Sequence, residues 1–189
     1  MIRTEQTISE EEMKLLSGLI DSTWNDFSGD GVSDKTLAWE SVRIESSANA
    51  VEISFILEVM NIGGEPEEYP CLHIQSSEKK SQTAIRNGKI YFQSRGERIA
   101  EIWILRETLR NLRNDELFFE NIADVCVAFK LDTHWVSFAR AAHFSDSIII
   151  QRTVSRDEIQ IPDVLDEWES DLIDQYELDK QWIDIRSSD

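Results

Sequence analysis

The chain has 189 residues, and 37 Asp and Glu against 19 Lys and Arg give it a formal net charge of −18. Apolar residues make up 41% of the sequence, which is enough for a core of its own and excludes disorder along the whole chain. No apolar run approaches the roughly 20 residues of a membrane span. The first residues lack the apolar region of a signal peptide, and two cysteines do not make a disulfide framework. We expect a single cytoplasmic domain that is not associated with a membrane.

The charge is distributed unevenly along the chain. Residues 1–70 carry −11, residues 71–156 carry +3 and residues 157–189 carry −10. A field of this sign repels nucleic acid and attracts cationic partners. The charge serves either solubility alone or the steering of a partner, and the sequence leaves both interpretations open.

The first predicted element is a helix over about 9–27. Ser9 and Glu12 have the spacing of a capping box, in which each residue satisfies a backbone N–H of the other. The apolar residues that follow recur every three or four positions: Met13, Leu16, Ile20, Trp24 and Phe27. This spacing predicts an amphipathic helix that ends in the Ser28-Gly29-Asp30-Gly31 segment.

The region 37–161 is predicted to be rich in strands, because apolar and polar residues alternate there with period two. Asn87-Gly88 is the strongest hairpin signal, since both residues accept the positive φ of a tight turn. The apolar positions of residues 97–113 fit either a strand or a helix. We favour a strand that passes into an irregular or helical turn. The remaining predicted strands are 37–45, 51–60, 71–75, 125–131, a segment that begins at Trp135, and 148–150.

A second helix is predicted over about 163–178, followed by an acidic tail. Pro162-Asp163 is a helix-start signal, and Leu165, Trp168, Leu172 and Tyr176 follow with helical spacing. Strands joined by short turns without βαβ alternation favour an antiparallel sheet. We therefore predict one α+β domain over residues 1–189, a mainly antiparallel sheet of about six to eight strands flanked by N-terminal and C-terminal helices.

Several residue groups resemble metal or catalytic sites only in part. The segment from Asp26 to Asp34 has the oxygen spacing of an EF-hand-like calcium loop, but Leu37 stands where the bidentate glutamate belongs. Cys71 and His73 would share one face of a strand, without the further ligands of a zinc site. Asp132 and His134 follow Cys126, but this cysteine lies in an apolar strand and is expected to pack as a small hydrophobe. We expect no metal, no cofactor and no catalytic residue.

The basic middle of the chain resembles a nucleic-acid-binding face of a sheet. Its cations are Lys79, Lys80, Arg86, Lys89, Arg95, Arg98, Arg106, Arg110 and Arg113, with Tyr91, Phe92 and Trp103 among them. Because the surrounding acidic field opposes phosphate, we expect these cations to pair with carboxylates from the two ends of the chain instead. Binding of nucleic acid is not predicted.

The function predicted from these features is non-catalytic binding of a basic protein. In bacteria, such a profile suits an immunity protein or inhibitor that places carboxylates in the positive cleft of a nuclease-like toxin. The alternatives are a structural or regulatory subunit of a larger assembly and, less favoured, an uncharacterised hydrolase. The residues predicted to bind the partner are those of the C-terminal helix and tail: Asp166, Glu167, Glu169, Asp171, Asp174, Glu177 and Trp182. Trp182 is either an interface anchor or a residue that holds the C-terminus on the sheet.

Overall fold

The computed structural model describes residues 1–31, 37–62, 65–77, 96–163, 165 and 174–187. These ranges contain ten strands and a single α-helix, α1 (Glu10–Ser17). The strands are β1 (Ile2–Gln6), β2 (Trp24–Gly31), β3 (Leu37–Ser46), β4 (Ala50–Ile62), β5 (Glu65–Ser76), β6 (Ile99–Arg113), β7 (Glu116–Leu131), β8 (Trp135–Arg140), β9 (Ile148–Thr153) and β10 (Asp174–Asp184). No helix in these ranges is long and apolar enough to cross a membrane.

All ten strands belong to one sheet. Its hydrogen-bonded order is β10-β6-β7-β8-β9-β3-β4-β5, with β2 beside β3 and β1 beside β7. Every pair is antiparallel except β1 with β7. The prediction of a mainly antiparallel sheet is therefore confirmed, and the number of strands exceeds the six to eight expected.

The sheet closes on itself where the start of β2 meets the start of β6. Thr23 and Arg98 form an isolated antiparallel bridge. The backbone N–H of Trp24 donates to Glu97 at 2.8 Å, and the N–H of Gly96 donates to Trp24 at 2.8 Å. Asp21 and Ile99 extend this pairing with two further bonds: the N–H of Asp21 donates to Ile99, and the N–H of Ile99 donates to Ser22. Strands β2, β3, β9, β8, β7 and β6 thereby form a closed ring.

The main core lies inside this ring. Trp24 is 1% exposed, and its ring lies 5.4 Å from that of Phe129 and 6.4 Å from that of Phe138. Leu16 and Leu19, from α1 and the turn after it, are fully buried in the same cluster. A second cluster lies at the outer ends of β5, β6 and β7, around Tyr69, Cys71, Leu105, Leu109, Phe119, Ala123, Val125, Cys126 and Ala139.

The predicted N-terminal helix is correct at its start and wrong beyond Ser17. Both bonds of the Ser9–Glu12 capping box are present. After α1 the chain turns, with Asp21 at a positive φ of 65°, and continues as β2. Trp24 and Phe27 both reach the core because a register shift between Trp24 and Asp26 makes Asn25 an extra residue in the strand. This β-bulge gives two strand residues the three-residue spacing of a helix face.

The predicted C-terminal helix is wrong within the described residues. Residues 174–178, which the prediction made helical, are the first half of β10, which pairs with β6 over its whole length without a register shift. Tyr176, Leu178 and Trp182 alternate along this strand and pack against the second cluster. The spacing from Leu165 to Tyr176 fits a helix, whereas the spacing from Tyr176 onward has period two, and the structure follows the second pattern.

The ambiguous segment 97–113 forms a strand, β6, which is joined to β7 by a two-residue turn. Asn114 and Asp115 have positive φ values of 53° and 63°, as a type I′ hairpin requires. This turn was not predicted, although Asn and Asp tolerate that conformation better than other residues with a side chain. The predicted Asn87-Gly88 hairpin lies outside the described residues.

We predict that Phe55→Ala lowers the free energy of unfolding by about 3–5 kcal/mol, because a large side chain is removed from a filled core. Phe55 is 1% exposed, whereas Leu57, two residues further along the same face of β4, is 40% exposed. Leu57→Ala is the matched control and should cost less than about 1 kcal/mol. Urea denaturation of both variants measures the difference, and equal costs would contradict the assignment of the core.

Candidate functional site

Four of the seven predicted partner-binding residues lie outside the described part of the chain: Asp166, Glu167, Glu169 and Asp171. The other three, Asp174, Glu177 and Trp182, lie on β10. Their assignment as partner-binding residues stays a prediction, but a strand rather than a helix presents these three.

Two of these three side chains have contacts within the chain. The carboxylate of Asp174 accepts a hydrogen bond from Arg113 Nε at 3.0 Å. Trp182 is half-buried in the second cluster, and the guanidinium of Arg156 lies 5.4 Å from its ring. This geometry agrees with a Trp182 that holds the C-terminal strand on the sheet. Glu177 is exposed and lies opposite Arg110 in the ladder.

The described arginines of the basic middle pair with carboxylates. Arg106 donates two hydrogen bonds to Asp124, at 2.8 and 3.1 Å. Arg110 donates to Glu120 at 2.8 Å and also to Asp179 on β10. Arg98 pairs with Asp21 at 3.1 Å, and Arg113 with Asp174. These positive charges are neutralised by acids of the same chain. Asp21, Asp174 and Asp179 come from its two ends, as expected from the sequence, whereas Asp124 and Glu120 belong to the basic middle itself. Many carboxylates remain on the surface.

The exposed carboxylates are spread over several elements rather than gathered in one cluster. Examples lie in the first turn of α1, in β3, at the β6–β7 turn, in the outer part of the β4–β5 hairpin and on β10: Glu10, Glu11, Glu40, Asp115, Glu116, Glu58, Glu67, Glu68, Glu177 and Asp179. A dispersed field of this kind acts on a partner before contact, and does not by itself define a binding surface.

The described part of the segment considered as a calcium loop is a strand rather than a loop. Asp26 and Ser28 lie in β2 and pair with β3, and the backbone N–H of Phe27 donates to the Asp26 carboxylate at 2.9 Å. Asp34 lies outside the described residues. Within the described ranges, no three His, Cys, Asp or Glu side chains are grouped as metal ligands.

Both cysteines are buried thiols. Burial, with a smaller contribution from the Glu58 carboxylate, raises the pKa of Cys71 to about 12, and burial also raises the pKa of Cys126. A protonated thiol is a weak nucleophile and a poor metal ligand. His73 contacts two carboxylates, Glu58 at 3.0 Å and Glu12 at 3.7 Å.

A buried ionic network lies beside the second cluster. Arg140 and Glu107 are each 2% exposed, and Arg140 Nη2 donates to Glu107 Oε2 at 2.5 Å. Arg140 Nη1 donates to the hydroxyl of Tyr69, which also bonds to the Asn121 side chain. Lys180 Nζ lies 3.5 Å from the second oxygen of Glu107. The network connects β5, β6, β7, β8 and β10, so it holds the outer strands in one arrangement.

His143 lies at the edge of this network. Its ring centre is 5.0 Å from that of Tyr69 and 4.4 Å from that of Phe144. Burial, and secondarily the positive charge of Arg140, lowers the pKa of His143 to about 3. The imidazole is therefore neutral in the folded protein over the ordinary range of pH.

The β4–β5 hairpin carries a surface that combines exposed apolar and acidic side chains. Ile56, Leu57 and Val59 are 49%, 40% and 73% exposed. Acidic residues lie between and opposite them: Glu58 on β4 and Glu67 and Glu68 on β5. Exposed apolar groups gathered on one element are a common mark of an interaction surface.

Residues 51–60 are predicted from the sequence as a strand of the sheet, but nothing in that prediction distinguishes the outer part of the strand. A signal was present in the Ile56-Leu57-Glu58-Val59-Met60 run, where apolar residues occupy both faces of one strand. A strand with a solvent-exposed face normally places polar residues there. The second signal was the acidic start of β5, with Glu65, Glu67 and Glu68 within four residues.

Comparison of the chain with models of protein families, with curated proteins and with solved structures yielded no match.

We predict that Arg140→Met destabilises the protein by about 3–5 kcal/mol, because it leaves Glu107 buried without its closest positive charge. The double variant Arg140→Met/Glu107→Leu should recover much of this loss, since no unpaired charge remains. Arg98→Met is the control, and should cost about 1 kcal/mol or less because its pair with Asp21 is exposed. A double variant as unstable as the single one in urea denaturation would contradict this coupling.

We also predict that His143 lowers the free energy of unfolding in mild acid. Its pKa is about 3 when folded against 6.5 unfolded, so between these values only the unfolded chain takes up the proton. The free energy of unfolding therefore falls as pH decreases from 6.5, by at most about 1.4 kcal/mol per pH unit from this group. His143→Gln removes this contribution. Identical pH dependence of the two proteins in urea denaturation would show that His143 is not the cause.

Proposed function

We propose that the chain is a non-catalytic, acidic protein-binding module and that its partner is a basic protein. The observation that supports this is the fate of the positive charges. The arginines of β6 pair with carboxylates of the same chain. Exposed carboxylates cover several elements of this chain, which carries −18 overall. Solubility alone does not require so large a net charge, because a magnitude of about 2–8 suffices for a small domain.

A surface of this kind favours binding of a basic partner in two ways. Its field raises the rate of encounter, and it disfavours acidic competitors and nucleic acid through like-charge repulsion. The rigid sheet also presents its carboxylates without a large ordering cost on binding.

In its finer form, the proposal names the partner as a nuclease-like toxin and the chain as its inhibitor. A nuclease active site is a positive cleft suited to phosphate, and carboxylates on a rigid scaffold complement it. The alternative of a structural or regulatory subunit differs in one measurable respect, because there the charge plays no part in association.

The test begins with capture of partners on the immobilised chain from a lysate of the source organism and identification by mass spectrometry. Association of the purified partner is then measured at about 10 mM and about 100 mM salt, between which the Debye length falls from ~30 to ~10 Å. For a basic partner steered by the acidic field, we expect the association rate constant to fall about tenfold or more. The dissociation rate constant should change much less.

The control is a variant neutralised at dispersed exposed positions, Glu11→Gln, Glu40→Gln, Asp115→Asn and Glu116→Gln. It should associate more slowly than the original chain at low salt and show a weaker salt dependence. A partner that is itself acidic, or an association rate constant that neither salt nor neutralisation changes, would contradict the proposal and favour the subunit alternative.

A further inference from the structure

One face of β4 continues beyond the core that it helps to form. Val51, Ile53 and Phe55 are 1%, 0% and 1% exposed, and all belong to the main cluster. The next two residues on the same face, Leu57 and Val59, are 40% and 73% exposed. The alternation of apolar residues is therefore longer than the core requires, and its outer part extends beyond the core into solvent.

The partner strand gives this outer face its charge. In the ladder, Leu57 lies opposite Pro70 and Val59 lies opposite Glu68. Glu58 and Glu67 lie on the reverse side of the same hairpin, together with the half-exposed Ile56. The apolar pair therefore has Glu68 beside it on its own face and two further carboxylates on the reverse side of a two-stranded ribbon, which is complementary to an apolar side chain flanked by lysine or arginine.

The edge of β5 that faces away from β4 is protected against the addition of another strand. The N–H of Ile74 points away from β4 and donates to Glu12 Oε1 at 2.9 Å. Because β5 pairs with β4 without a register shift, every second residue from Ile74 has its backbone nitrogen on that outer edge. Two of these positions are Pro66 and Pro70, which have no N–H to donate. A partner would therefore dock on the face of the hairpin rather than along its edge.

We propose that the exposed residues at the outer part of the β4–β5 hairpin, 56–59 with 66–68, form a docking surface for a basic protein that presents an apolar side chain between cations. This inference rests on the proposed function and names the surface that carries it. Leu57 and Val59 supply the apolar contact, and Glu68 with its neighbours supplies the charge. A second copy of the chain fits this surface poorly, because it would bring two sets of carboxylates together.

The experiment uses the full chain labelled with ¹⁵N and two synthetic peptides of equal length and charge as probes. One peptide carries Leu and Trp between its lysines, and the other carries Ser at those positions. Amide shifts and dissociation constants are measured at about 100 mM salt. We expect the Leu/Trp peptide to bind about tenfold tighter than the Ser peptide and to shift amides of 56–60 and 67–69.

Matched variants separate the two contributions. Val59→Ser should weaken the Leu/Trp peptide about fivefold, whereas Val154→Ser, at a valine that is 75% exposed elsewhere, should leave it unchanged. The pair Glu67→Gln/Glu68→Gln should weaken both peptides and reduce the salt dependence of binding. The control for charge is Asp115→Asn/Glu116→Gln, at the turn of the β6–β7 hairpin, which removes the same number of charges from the overall field and should weaken both peptides less than Glu67→Gln/Glu68→Gln.

The outcomes that overturn this inference are distinct from those that overturn the function. Shifts concentrated away from the β4–β5 hairpin, or an equal effect of Val59→Ser and Val154→Ser, would show that a basic partner binds elsewhere. A dimer in sedimentation that Val59→Ser dissociates would show that the face serves self-association. No binding of either peptide even at about 10 mM salt would contradict both the surface and the proposed basic partner.

Discussion

The pairing of residues 21–24 with 96–99 is the contact on which the rest of the fold depends. Without it, the sheet would be an open ribbon whose first and last strands are far apart along the chain. Closure fixes Trp24 between Phe27, Phe129 and Phe138, and this aromatic group fills the interior that the ring encloses. Because the interior is filled by side chains from β2, β6, β7, β8 and β9, none of these strands can change register without disturbing the others.

The closed ring also explains why charge and apolar surface appear where they do. Two long hairpins, β4–β5 and β6–β7, extend beyond the ring. In the outer part of β6–β7, β1 pairs with β7 and β10 pairs with β6. The arginines of β6 stabilise this part through ion pairs. The outer part of β4–β5 contacts β1, where Thr4 and Gln6 bond to Asn61 and Met60, and keeps Leu57 and Val59 in solvent. The outer part of β6–β7 therefore stabilises the fold, whereas the outer part of β4–β5 presents a surface to solvent.

The sequence predicted the sheet well where alternation and burial agree, and failed where local geometry changes the spacing. The predicted strands 51–60, 125–131 and 148–150 are all present, within β4, β7 and β9. Trp24 and Phe27 were assigned to a helix because a β-bulge at Asn25 imitates helical spacing. Such a bulge arises from pairing with β3, a contact that no local pattern reveals.

The candidate surface was harder to predict than the fold. Alternation shows which residues share a face, but not where along a strand the covering layer ends, so Phe55 and Leu57 look equivalent in the sequence. The Arg140–Glu107 pair was equally hidden, because ionisable residues on different strands give no signal of their contact. For the arginines of β6, net charge by segment was sufficient to predict pairing with acids, although not the individual partners.

One carboxylate, that of Glu12, joins the start of the only described helix to the outer edge of the sheet. Its oxygens accept hydrogen bonds from the Ser9 and Ile74 backbones, at 2.7 and 2.9 Å. Partial burial alone would raise the pKa of Glu12, but these hydrogen bonds lower it below 4.5. In strong acid a single proton weakens both bonds, so the helix start loosens at the same moment as the edge of β5 is uncovered. Because Pro66 and Pro70 still interrupt the outer half of this edge, acid exposes its inner end, around Ile74, to pairing with another molecule.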